Sequence, residues 1–180
     1  HSFTTPVDHS QLQNSIMNNA RVYVAAGLPL DNDSIQLYRQ SYIPAHSELT
    51  VILNNFVGFG EMERMTQFKD KSAKLGGERV SVGLFDYPVL MISDILLYHA
   101  TYVPVGDDQS QHLEITRDVA ERMNKRFGEL FTVPASVRDQ HAFFGKDQGL
   151  RIKDLQNTSK KMSKSDESGK GVIFLNEPPE

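Results

Sequence analysis

The chain has 180 residues, 39% of them apolar, with a formal net charge of −4 and no cysteine. That length supports one substantial core, so one domain is expected. The acidic balance excludes an indiscriminate grip on nucleic acid, which rests on neutralising phosphates with basic side chains. Any RNA contact must therefore be local. The lack of cysteine excludes disulfides, thiolate metal sites and a cysteine nucleophile, and fits a reducing compartment. No apolar run approaches the roughly 20 residues of a membrane span, so a soluble protein with no membrane partner is expected.

Residues 2–5 are β-compatible, read as the tail of a strand, and Pro6 closes them. Asp8 is placed to cap a helix in which Leu12, Ile16, Ala20 and Val24 recur every four residues, and Gly27 and Pro29 end it. Ile35 and Leu37 alternate with Gln36 and Tyr38 in a short strand that Pro44 ends. A second helix carries Leu49, Ile52, Leu53 and Phe56 and stops at Gly58-Phe59-Gly60. This alternation predicts an α/β fold with a parallel sheet. Residues 61–74 then form a short helix with Met62, Met65 and Phe68 on the buried side and Arg64, Lys69 and Lys71 on the others, broken by Leu75-Gly76-Gly77. Those cations are either a solvated face or a wall facing a nucleotide.

Residues 82–98 are the most hydrophobic of the chain and leave almost no polar face, which predicts a buried helix. Asp94 lies in the middle of it. An unpaired carboxylate there would cost several kcal/mol, so it needs a donor. Met91 and Tyr87 precede it by three and seven residues and share its face. Asp94 is therefore either a structural aspartate paired inside the protein or a ligand anchor that accepts one N–H or O–H from a buried ring, with Met91 as a soft wall.

Residues 102–105 read as a strand with Val103 and Val105 pointing one way, followed at once by Gly106-Asp107-Asp108-Gln109. Leu113, Thr116, Ala120, Met123 and Phe127 mark the inner face of a long helix beyond. Strand, glycine turn and helix N-terminus make the usual ligand crevice of an open α/β sheet. Asp107 and Asp108 either cap the helix or meet a ribose diol. Residues 131–149 read as irregular, with His141 beside Phe143 and Phe144 a surface or packing histidine, before Leu150, Ile152 and Leu155 restore a strand-like alternation. That alternation leads into Lys160-Lys161-Met162-Ser163-Lys164-Ser165, where three ammonium groups and two hydroxyls fall within six residues, with Gly169 and Gly171 just beyond. Compact charges, hydroxyls and exposed amides on a glycine-flanked loop suit phosphate.

Four runs, in this order, resemble bacterial-type tryptophanyl-tRNA synthetases. They are Arg64-Met65-Thr66-Gln67-Phe68-Lys69-Asp70-Lys71, the run from Tyr87-Pro88-Val89-Leu90-Met91 through Ser93-Asp94-Ile95-Leu96 to Tyr98, the run from Val103-Pro104-Val105-Gly106 through Asp107-Asp108-Gln109 to His112, and Lys161-Met162-Ser163-Lys164-Ser165. The last matches the second signature loop of class I aminoacyl-tRNA synthetases letter for letter, and the similarity runs through nearly the whole chain. The resemblance implies a Rossmann-like parallel sheet with flanking helices. It also implies activation of L-tryptophan by ATP with Mg²⁺ on the ATP phosphates, transfer to tRNA(Trp), a cytoplasmic or organellar setting, and a homodimer.

By position the resemblance gives Asp94 the indole N–H, lines the ring pocket with Met91, Ile95, Val103 and Val105, and has Tyr87 and Gln109 hold the amino-acid backbone. It assigns Gly106, Asp107 and Asp108 to the nucleoside, a backbone contact near adenine to Ile152, and the triphosphate to Lys161, Met162, Ser163, Lys164 and Ser165. Lys161, Lys164 and Lys71 become the cations that stabilise the departing pyrophosphate. A sister family that charges tyrosine, and a non-catalytic ATP-binding relative, share parts of this pattern.

Some features depart from the family pattern. The histidine-bearing glycine turn of the class and its first strand are not in the sequence, nor is an anticodon-binding region, and the chain starts without methionine and ends on Glu177-Pro178-Pro179-Glu180. The 180 residues are thus expected to be a partial catalytic domain, inactive alone, of a longer enzyme. Ile92-Ser93 replaces the small alanine pair usual before the aspartate and is expected to crowd the pocket mildly.

Overall fold

The computed structural model describes residues 8–74, 80–145, 152–159, 162 and 170–173. They divide between two compact units, one within Arg39–Gly149 and one joining Asp8–Tyr38 to residues beyond Leu150.

The second of these units opens with α1 (His9–Ala25). Asp8 caps it as expected, its Oδ1 accepting from the Ser10 amide at 2.9 Å, and Gly27, at φ +97°, turns the chain out of it. Residues 35–38, expected as a strand, carry no regular secondary structure. The same holds for residues 102–105. The strand tail expected at residues 2–5 lies outside the described residues. Among the described residues no extended strand forms, and Lys153 makes an isolated bridge.

The unit within Arg39–Gly149 is a helical assembly. It comprises α2 (Ala45–Leu53), α3 (Phe59–Glu63), α4 (Thr66–Lys74), α5 (Val82–Leu96), α6 (Ser110–Phe127) and α7 (Val137–Phe144). α5 is the apolar run, begun by Ser81, whose Oγ accepts from the Leu84 amide at 3.1 Å. Pro88 lies inside it, so the Leu84 carbonyl lacks its usual helical donor. Around α5 close Leu53 of α2, Met62 of α3, Met65 and the Val119, Ala120 and Met123 face of α6, with Val89, Ile92 and Leu96 contributed by α5 itself. Ile92 is fully buried in this core.

Several expectations are corrected here. Ile52, an apolar residue of the second helix, and Phe127, placed on an inner face by its spacing, are about half exposed. The single helix expected over 61–74 is two helices, separated at Arg64-Met65. Residues 131–149, expected to be irregular, contain α7, capped by Ser136 and ended by Gly145 at φ +87°. Leu75-Gly76-Gly77 lie outside the described residues. Among the described residues no helix is long and apolar enough to cross a membrane.

Candidate functional site

Tyr87, Met91 and Asp94 share one face of α5, as the helical spacing requires. The donors that Asp94 needs come from two other elements. Gln40, in the single turn Gln40–Tyr42, donates from Nε2 to both carboxylate oxygens, at 2.7 and 2.9 Å. His46, in the first turn of α2 and only 3% exposed, places Nδ1 2.6 Å from Asp94 Oδ1. A carboxylate only accepts, so Nδ1 carries the hydrogen, and Nε2 lies 3.0 Å from the Tyr98 hydroxyl. The His46 carbonyl accepts in turn from Thr50 Oγ1 at 2.7 Å and from Ser93 Oγ at 2.8 Å. Ser93 thus reaches across to α2, and its neighbour Ile92 fills the core. The Asp94 side chain remains 28% exposed, so it is gripped from inside and reachable from outside.

Tyr87, at the other end of this face, is buried, with its hydroxyl 3.1 Å from Nε2 of the fully buried His112 of α6. Burial, and next the negative charge of Asp108, push the Tyr87 phenol above its ordinary value, so it stays a neutral hydroxyl. The Tyr87–His112 contact ties the start of α6, and with it the turn at 106–108 that leads into that helix, to the Tyr87 end of α5. A Cβ on Gly106 would come within 2.8 Å of Asp108 Oδ1, so glycine lets the turn fold over its own carboxylate.

Of the two readings of Asp107 and Asp108, the cap finds no hydrogen bond. Gln109 begins α6 without a side-chain cap. Asp108 Oδ2 accepts from Gln109 Nε2 at 3.1 Å, and Asp107 Oδ1 lies 3.6 Å from Nε2 of the partly exposed His141. The N-terminus of α4 is fastened to the same region. Gln111 Oε1 accepts from the Thr66 amide and hydroxyl at 2.9 and 3.0 Å, and Gln67 Nε2 donates to the Asp108 carbonyl at 3.3 Å. α4 carries Lys71, whose side chain lies outside the described residues.

Met91, Val103, Val105 and Gln109 are half-buried and Ile95 is buried. Val103 is anchored by Gln140 of α7, a 2% exposed amide whose Oε1 accepts from the Val103 N–H at 2.8 Å while its Nε2 donates to the Ala135 carbonyl at 2.9 Å. Lys161, Ser163, Lys164 and Ser165 lie outside the described residues. In the other unit the Met162 amide donates to the carbonyl of the exposed Ile152 at 2.8 Å, and the Leu155 amide to Gly171 at 3.0 Å.

Gln40, His46 and Gln140 were missed by sequence reasoning. The demand of Asp94 for a donor was readable, but the donors stand 54 and 48 residues before it. For Gln140 the available signal was Ser136 with Asp139 three residues on, an N-cap pattern that announces α7.

The family of class I tRNA synthetases for tryptophan and tyrosine (W and Y) matches residues 1–180. The chain belongs to that family. The tryptophan–tRNA ligase of Leifsonia xyli subsp. xyli is 52% identical over 180 residues, covering all of this chain and 51% of that protein. That of Caldanaerobacter subterraneus subsp. tengcongensis is 47% identical over 180 residues, with 100% and 52% covered.

Two solved structures place the family's fold on this chain. The tryptophanyl-tRNA synthetase of Mycoplasma pneumoniae superposes with a TM-score of 0.83 at 38% identity, over 99% of this chain and 50% of that one. The enzyme of Campylobacter jejuni, solved in complex with ADP and tryptophan, gives 0.81 at 34% identity, over 99% and 51%. The class I synthetase, Rossmann-like architecture follows from this likeness. The chain spans about half the length of the relatives it matches.

Proposed function

We propose that this chain forms part of the catalytic domain of a tryptophan–tRNA ligase, which activates L-tryptophan with ATP and esterifies it to the terminal adenosine of tRNA(Trp). The observation that carries the reading is the held but reachable carboxylate of Asp94, on a helix face with Met91 and Tyr87. The names of the relatives and the ADP and tryptophan bound by the Campylobacter jejuni enzyme support it.

In this proposal Asp94 accepts the indole N–H, Met91, Ile95, Val103 and Val105 line the ring, and Tyr87 and Gln109 hold the amino and carboxylate groups. Gly106, Asp107 and Asp108 take the ribose of ATP, and Ile152 meets adenine through its backbone. The tryptophan carboxylate attacks the α-phosphorus, a new P–O bond forms, and pyrophosphate leaves with the old one. The step needs no protein nucleophile, only in-line placement and neutralisation of the charge gathering on the leaving group. Lys71, Lys161 and Lys164 are the cations assigned to that task, with Met162, Ser163 and Ser165 beside them. Mg²⁺ is assigned to the ATP phosphates rather than to protein ligands. The terminal hydroxyl of the tRNA then displaces AMP from the acyl carbon. A parallel sheet, a homodimer and a cytoplasmic setting belong to the same proposal.

The test is ATP–pyrophosphate exchange by the full-length protein that carries these residues. Exchange should depend on tryptophan, with phenylalanine, which offers no ring donor, disfavoured by a factor on the order of 10⁴. Exchange driven by tyrosine instead, or by neither amino acid, overturns the proposal.

A further inference from the structure

We infer that Gln40 and His46 are positioning residues for substrate selection, fixing the Asp94 carboxylate in the orientation that accepts the ring N–H, an assignment that rests on the reading of Asp94 given above. A carboxylate at the edge of a helix has two soft torsions. Gln40 Nε2 straddles its two oxygens at 2.7 and 2.9 Å, and His46 Nδ1 takes Oδ1 at 2.6 Å from a different element. Two donors on two elements hold both torsions.

His46 is itself held from three sides. Tyr98, just past the end of α5, lies 3.0 Å from Nε2, and the hydroxyls of Ser93 and Thr50 donate to the backbone carbonyl at 2.8 and 2.7 Å. Residues 94 and 98 thus meet the two nitrogens of one buried imidazole, while Ser93 holds the backbone of the same residue. The serine at 93, which by sequence only narrowed the space before the aspartate, supplies one side of that grip.

Rigidity matters here because selectivity by a missing hydrogen bond depends on it. A ring lacking the N–H is rejected only if its approach leaves the acceptor facing an apolar atom, stripped of water and unable to turn elsewhere. With 28% of its surface exposed, an unrestrained Asp94 would swing back to solvent and escape that penalty. Held by Gln40 and His46, it must face whatever enters. The same restraint removes the cost of orienting the acceptor when tryptophan itself binds.

The experiment is pyrophosphate exchange by the full-length enzyme with tryptophan and with benzothienylalanine, the isostere in which sulfur replaces the ring N–H. His46→Leu and Gln40→Leu should lower the ratio of the two kcat/KM values by about tenfold or more, through KM for tryptophan, with KM for ATP moved by less than about twofold. His46→Asn, whose amide restores a donor near the position of Nδ1, should keep the ratio within about threefold of wild type, and Tyr98→Phe should lower it by about two- to fivefold. If His46→Leu does not fold, the Gln40→Leu and Tyr98→Phe ratios decide.

A wild-type enzyme that exchanges tryptophan, with the ratio unchanged in the leucine variants or lowered equally by His46→Asn and His46→Leu, overturns the positioning role alone. A wild-type enzyme with no tryptophan-dependent exchange overturns the reading of Asp94 and this assignment with it.

Discussion

Among the described residues of the unit that joins Asp8–Tyr38 to residues beyond Leu150, several side-chain hydrogen bonds close within two or three residues. Asp8 takes Ser10, Asn32 takes Ser34, Asp154 takes Gln156 and Asn157, and Asn157 takes Ser159. Within Arg39–Gly149 the bonds at the site span far more chain: 25 residues from Tyr87 to His112, 37 from Val103 to Gln140, and 48 and 54 from Asp94 to His46 and Gln40. Local bonds shape a turn whether or not the rest has folded. Distant ones form only when α2, α5, α6 and α7 are already packed, and they register any shift between them. Selecting a ring by one hydrogen bond requires an acceptor held from several directions, and such holding is possible only inside a packed layer.

The comparison breaks first at Asp94. Asp94→Ala should lower kcat/KM for tryptophan in exchange by about 10³-fold or more with little change in KM for ATP. It should also cost about 1–3 kcal/mol by urea denaturation, because the buried His46 loses its carboxylate acceptor. Next in size is the core that holds the layer. Leu53→Ala, at a position with no exposed surface, should cost about 2–5 kcal/mol, whereas Ile16→Ala on the half-covered face of α1 should cost about 1 kcal/mol. A larger loss at Ile16 than at Leu53 would reverse the contrast between the units.

The same distinction between near and far decides what the sequence discloses. α1 with its Asp8 cap and Gly27 stop, the apolar run of α5, and the Leu113, Thr116, Ala120 and Met123 face of α6 were all legible, since caps and periodicity are written within a few residues. The break between α3 and α4 was not, because Thr66 is drawn to Gln111, 45 residues on. Phe127 obeys the period of α6 yet is half exposed, since it is the last residue of the helix, with its ring edge-on to Phe56 and the Arg126 guanidinium over it. At the site, the apolar run singled out Asp94 and the resemblance gave it a role, but the partners that hold it belong to the packing of α2 on α5, which no local pattern announces.

The smallest effect tests a long-range bond placed away from the site. Arg122 of α6 meets Glu61 of α3 through two hydrogen bonds, Nη2 to Oε1 at 2.7 Å and Nη1 to Oε2 at 3.2 Å, and also donates to the Phe56 carbonyl. The Arg122 hydrogen bond, reinforced by the Gly58 amide and the Arg122 charge, holds the Glu61 carboxyl below its ordinary range. A carboxyl whose folded value is lowered binds fewer protons in the folded state, so its contribution is complete above the unfolded value and is lost as pH falls through the folded one. Glu61→Gln should therefore cost no more than about 1 kcal/mol at neutral pH, discounted because both side chains are partly exposed. The gap between variant and wild type in urea denaturation should shrink as the pH is lowered through that range, and also in high salt. A gap that stayed constant down to the acid transition would mean that α3 is held to α6 by the apolar contacts of Met62, leaving the distant bonds around Asp94 as the ones that depend on charge.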